Sequence, residues 1–80
     1  MIVRDADIDA VILRLCQRQS KVARVNLTVV LEFEDKGARV GEERVARRIH
    51  ALVRRGRLMA FGDIRLWRWS EIRAVNRATN

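Results

Sequence analysis

Val45-Ala46-Arg47-Arg48-Ile49-His50-Ala51-Leu52-Val53-Arg54-Arg55-Gly56, running directly into Arg57-Leu58-Met59-Ala60-Phe61-Gly62-Asp63-Ile64-Arg65-Leu66-Trp67-Arg68-Trp69, decides the fold. In its first half Val45, Ile49, Leu52 and Val53 recur at i, i+4, i+7 and i+8, the apolar stripe of a helix lying on a core. The spacing predicts a helix over about residues 41–55, ended by Gly56. Its second half reads as two strands over about residues 57–69 joined at Gly62-Asp63, a two-residue turn of the glycine-first type. A helix followed at once by a hairpin points to a winged helix-turn-helix arrangement.

The turn sets a register. Phe61 would face Ile64, Met59 would face Leu66, and Leu58 would face Trp67. Alternation then places Leu58, Ala60, Trp67 and Trp69 on one face, with Arg65 opposite Ala60, and Met59, Phe61, Ile64 and Leu66 on the other. Both faces are largely apolar, whereas a sheet covered on one side only has a polar second face. Met59, Phe61, Ile64 and Leu66 are therefore expected to meet a partner, most simply a second copy in a homodimer, or else the C-terminal tail. An aromatic wing that stacks on bases is a further reading of the same residues.

Upstream of this unit, Ile8, Val11, Ile12, Leu15 and Cys16 repeat the helical spacing and predict a first helix over about residues 6–18. Asp5, Asp7 and Asp9 precede or open it, where negative charge complements the helix dipole and serves as a cap. They do not form a calcium loop: counted from Asp5, the positions that need glycine and glutamate hold Ala10 and Cys16. Ser20 is a candidate cap for a second element over about residues 21–34. There Val22, Val25, Val29, Val30 and Phe33 fit a helix, while Leu27, Val29, Leu31 and Phe33 also alternate as in a strand. Helix is preferred on length; a short strand at about residues 21–25 before a shorter helix is the alternative. Residues 34–39 are a polar loop containing Gly37, longer than a standard helix-turn-helix turn. At the other end, Ser70 to Arg73 is expected to close the hairpin and begin a short helical turn, with a frayed tail over residues 74–80. The expectation is one small α+β domain over residues 1–80, mainly helical, with three helices followed by a hairpin wing.

Charge narrows the function. The chain of 80 residues has a formal net charge of +7, and its distribution is uneven. Residues 1–43 carry seven basic and eight acidic side chains, and residues 44–80 carry ten and two, so all the excess lies on the helix–hairpin unit and its tail. Fifteen of the seventeen basic residues are arginine, whose planar fork suits phosphate, carboxylate and guanine edges. With the apolar stripe inward, Arg47 and Arg54 point away from the core, Arg44 lies beside them, and Arg48 and Arg55 flank the stripe. The expected nucleic-acid-binding set is Arg44, Arg47, Arg48, Arg54, Arg55, Arg57 and Arg65. A solvated basic face, or the arginine bias of a GC-rich genome, gives the same count.

Other classes find little support. One cysteine, Cys16, falls on the apolar stripe of the first helix and reads as core packing in a reducing cytoplasm. His50 stands alone, with no second metal ligand at a suitable spacing. No glycine-rich phosphate loop, nucleophile–base pair or paired catalytic carboxylates are present, so an enzyme, a cofactor, a small-molecule substrate and a metal are not expected. No signal peptide and no membrane-length apolar run is visible, which predicts a cytoplasmic protein.

The run from Arg47 to Leu58, Gly62-Asp63-Ile64-Arg65, and Trp69-Ser70-Glu71-Ile72-Arg73 together resemble the C-terminal domain of a bacterial protein family of unknown function. Lys21-Val22-Ala23-Arg24-Val25 and the acidic first helix resemble it too. The resemblance implies a winged-helix-like fold, and it carries no catalytic residue or cofactor. Two expectations remain: a small basic module that binds DNA, as a dimer, or a protein-interaction domain of the immunity or adaptor type that engages an acidic partner.

Overall fold

A computed structural model describes residues 2–63 and 70–75. They form three helices and a three-stranded antiparallel sheet: α1 (Asp5–Leu15), β1 (Ser20–Lys21), α2 (Val22–Asp35), α3 (Glu42–Arg54), β2 (Leu58–Phe61) and β3 (Glu71–Ala74). The sheet order is β1-β3-β2, so the last of the described strands lies in the middle.

Each helix buries most of the stripe its spacing predicts, with Leu15, Val30 and Val53 only partly buried at its edge. Ile8, Val11 and Ile12 of α1, Val22, Val25, Val29 and Phe33 of α2, and Val45, Ile49 and Leu52 of α3 meet in one core with Leu58 and Ile72 of the sheet. Cys16 is fully buried beside them, and burial pushes its thiol up to about 11, which leaves it protonated at neutral pH. The second element is helical over Val22–Asp35, and the strand before it covers Ser20–Lys21 rather than residues 21–25. Leu27 and Leu31, which made it look strand-like, face solvent, and only the helical subset is buried.

Both α2 and α3 end on a glycine in the left-handed region, Gly37 (φ 84) and Gly56 (φ 73). After α3 the Arg57 amide donates to the Leu52 carbonyl at 2.8 Å and the Gly56 amide to Val53 at 3.0 Å. After α2 the Ala38 amide donates to Phe33 and the Gly37 amide to Glu34, both at 2.9 Å. These paired bonds satisfy carbonyls the helix leaves open, and they reverse the chain only if the residue between them tolerates positive φ.

Several boundaries differ from expectation. The first helix stops at Leu15 rather than near residue 18, because the chain must turn to deliver Ser20 to β3. Ser20 is therefore a strand residue opposite Ile72, and Lys21 takes the cap position of α2. The largest difference is in the hairpin. Phe61 faces Glu71, Ala60 faces Ile72, Met59 faces Arg73 and Leu58 faces Ala74, so β2 pairs with 71–74, and the expected partners at 64–67 lie outside the described residues. The connection from β2 to β3 spans residues 62–70, longer than the two-residue turn expected. Gly62 (φ 103) closes its base against Ser70, which is buried and donates its hydroxyl to the Asp63 carbonyl at 3.1 Å.

Residues 70–73 consequently lead into and build a strand, not a helical turn. The tail does not fray from residue 74. The Ala74 amide donates to Cys16 at 2.8 Å and the Val75 amide to Arg57 at 3.0 Å, which ties the last described residues to the ends of α1 and α3. Residues 76–80 lie outside the described residues, as do Ile64, Arg65, Leu66, Trp67 and Trp69. Among the described residues no helix is long and apolar enough to cross a membrane.

Candidate nucleic-acid interface

The arginine surface is built on α3. Gly41 caps the helix in an extended conformation, and Glu42 and Glu43 occupy the first turn, where carboxylates complement the helix dipole. With Val45, Ile49 and Leu52 inward, the other side of the helix carries Arg47, His50 and Arg54, all exposed. The Asn26 amide group on α2 donates to the Glu42 carbonyl at 3.1 Å and fixes where this helix begins.

Not every arginine expected on this surface is free to reach a ligand. Arg48 closes a two-pronged pair with Asp9 of α1, its Nε on Oδ1 and its Nη2 on Oδ2, both at 2.8 Å. The two side chains are only 15% and 17% exposed, so the pair is partly desolvated. Its bond to Asp9 holds the Arg48 guanidinium still more firmly in the charged form. Arg44 also turns to α1, donating to the Val3 carbonyl at 2.8 Å and to Asp5 Oδ1 at 3.0 Å. Asp5 reaches Arg48 as well, at 3.6 Å.

The three N-terminal aspartates thus have separate tasks. Asp7 accepts the Arg4 amide at 2.9 Å and caps α1, whereas Asp5 and Asp9, one turn apart, grip Arg44 and Arg48, one turn apart on α3. Sequence reasoning gave all three to the cap. The matching four-residue spacings were the available signal, but they become a contact only once α1 is known to pack on this flank of α3.

The hydrogen bond from Arg44, with Arg48 and Arg47 nearby, holds the Asp5 carboxyl below the usual range, although it faces solvent. A carboxylate whose pKa is depressed on folding adds its stabilisation above the unfolded pKa and loses it as pH falls through the folded one. The tie between Asp5 and Arg44 therefore persists through neutral and mildly acidic pH and is lost only in strong acid.

Removal of the Asp9 carboxylate tests the weight of this clasp. Asp9→Ala strands a partly buried guanidinium and is expected to cost about 2 kcal/mol, read as a shift in the urea midpoint. A loss under about 0.5 kcal/mol would put the pair among ordinary surface salt bridges.

Beside the clasp an open cleft of about 420 Å³ is lined by Asp5, Arg44, Arg47, Arg48, His50, Ala51 and Arg54. Arg47 and Arg54 are its exposed cations, and Asp5 is the only acidic side chain in its lining. Arg55 and Arg57 are exposed beyond the C-terminal end of α3 and do not line it. Arg65 lies outside the described residues. No family model, curated protein or solved structure matches this chain.

The expected partner face on the hairpin is present only in part among the described residues. Met59 is 54% exposed and Phe61 is half-buried, and they share the outer side of the sheet. Their cross-strand neighbours are Arg73 and Glu71, with Lys21 opposite Glu71 on the far strand. Gln19 donates to the Glu71 carboxylate on the same side. In the two-residue-turn register Met59 and Phe61 had Leu66 and Ile64 opposite; with charged neighbours instead, the described part of this face is mixed rather than apolar.

Proposed function

We propose that this chain is a winged-helix-like module that binds nucleic acid, duplex DNA in particular, through the exposed side of α3. The observation that carries the proposal is the division of labour among the α3 arginines. Two are neutralised by α1 and brace the helix, and Arg47 and Arg54 stand exposed on the same open cleft. Rows of exposed arginine on a braced helix neutralise phosphates and release counterions, which supplies most of the affinity of sequence-tolerant binding. The element order supports the fold half of the proposal: three helices with a hairpin directly after the third, and the 62–70 connection in the position of a wing.

The deciding experiment is fluorescence anisotropy of a labelled random duplex of about 30 base pairs at about 50 and about 300 mM salt. Binding at low salt that is lost at high salt is the expected result. A flat titration at both ends the proposal.

A second reading has one observation behind it. The cleft already accepts a carboxylate, since Asp5 sits on Arg44 and Arg48. An acidic protein segment would present the same group. In that case polyglutamate binds at low salt while the duplex does not.

A further inference from the structure

We propose that two copies of the chain associate through α2, as an antiparallel helix pair related by a two-fold axis that passes over Val29. Most apolar side chains on α2 face the core, but Leu27 and Leu31 do not: they are 51% and 53% exposed. At 100° per residue, the direction opposite fully buried Val29 falls between them. Arg24 and Glu34 lie on the same strip, one turn outward at either end, and both are exposed.

The strip is complementary to itself. In an antiparallel pair centred on residue 29, Leu27 meets Leu31 of the second copy and Arg24 meets Glu34 of the second copy. The two-fold axis repeats both contacts. A closed dimer requires this kind of self-matching, in which the same patch serves both partners. Its pattern of two central apolar residues between opposite charges fits a second copy of the chain better than an unrelated surface.

Charge elsewhere favours the same face. Residues 21–36 contain three basic and three acidic side chains, so α2 approaches its copy without the like-charge repulsion that the arginine-rich α3 would bring. Glu32 on α2 already pairs with Arg14, and Lys36, just past the helix, lies 5.8 Å from the Phe33 ring centroid. Arg24 and Glu34 make no ion pair with the described residues. One helix face is a small interface, so the dimer belongs to the weak class that forms at micromolar concentrations and above.

Charge exchange tests this without touching the core. Sedimentation velocity of the full chain over roughly 10 µM to 1 mM should show a monomer–dimer equilibrium. Arg24→Glu and Glu34→Arg should each weaken it about tenfold, because each puts two like-charge contacts across the axis. The double variant should return to within a few-fold of the parent, while Leu27→Ser with Leu31→Ser should abolish the dimer. Circular dichroism verifies that each variant is folded. A monomer throughout the concentration range overturns the proposal, as does a dimer indifferent to both single exchanges, or a double variant that shows no recovery. None of these outcomes depends on whether the chain binds nucleic acid.

Discussion

Ile72→Ala is expected to remove about 3 kcal/mol of stability, lowering the urea midpoint with little change in its slope. Ile72 is fully buried at the centre of the middle strand, between Ser20 of β1 and Ala60 of β2. Truncating it leaves a void that neither neighbour can fill, since serine and alanine are both short. An 80-residue domain has on the order of 4 to 12 kcal/mol in total, so this variant is marginal at room temperature. The prediction also discriminates between registers. With β2 paired to residues 64–67, Ile72 would sit in a surface turn and its loss would cost within about 0.5 kcal/mol. A change that small would overturn the observed sheet.

Substituting glutamine for both Arg47 and Arg54 should lower duplex affinity roughly 10- to 100-fold at about 0.1 M salt and reduce the slope of log affinity against log salt by about two. Both side chains are exposed and outside the clasp with α1, so stability should remain within about 0.5 kcal/mol of the parent. Arg48→Gln should do the reverse. It leaves Asp9 partly buried without its partner, so it should lower stability while changing the salt slope little. Equal slopes for the parent and the Arg47 and Arg54 double variant would remove α3 from the contact.

The helices were legible because each carries a stripe long enough to repeat: Val45, Ile49 and Leu52 named the inner face of α3, and Gly56 its end. The sheet was not, for two physical reasons. β1 is two residues long and takes its conformation from its neighbour rather than from its own propensity, so a short strand before the second helix stood only as an alternative, over about residues 21–25 rather than Ser20–Lys21. Glu71-Ile72-Arg73-Ala74 carries one strongly apolar residue, a weaker strand signal than the alternation of Ile64 to Trp69 beside it in the sequence. Gly62-Asp63 added a turn signal that fits a tight hairpin and a long one equally well.

For the interface, periodicity correctly placed Arg47 and Arg54 outward, since that needs only the helix's own geometry. It could not assign Arg44 and Arg48, whose surroundings depend on where α1 docks. A helical wheel describes one helix, and pairing between helices is a property of two.

The middle position of β3 has a consequence for how the chain is made. Among the described residues β1 and β2 are not hydrogen-bonded to each other, and each pairs with residues 71–74. On the ribosome all three helices emerge before either strand can be hydrogen-bonded, and the end of α1, at Cys16, waits for Ala74 to arrive. The closing step joins residues as far apart as Ser20 and Ile72, a long loop for a mainly helical domain. The helices can pack on one another as soon as they emerge, but the sheet side of the core closes only when Ile72 and its strand arrive between β1 and β2.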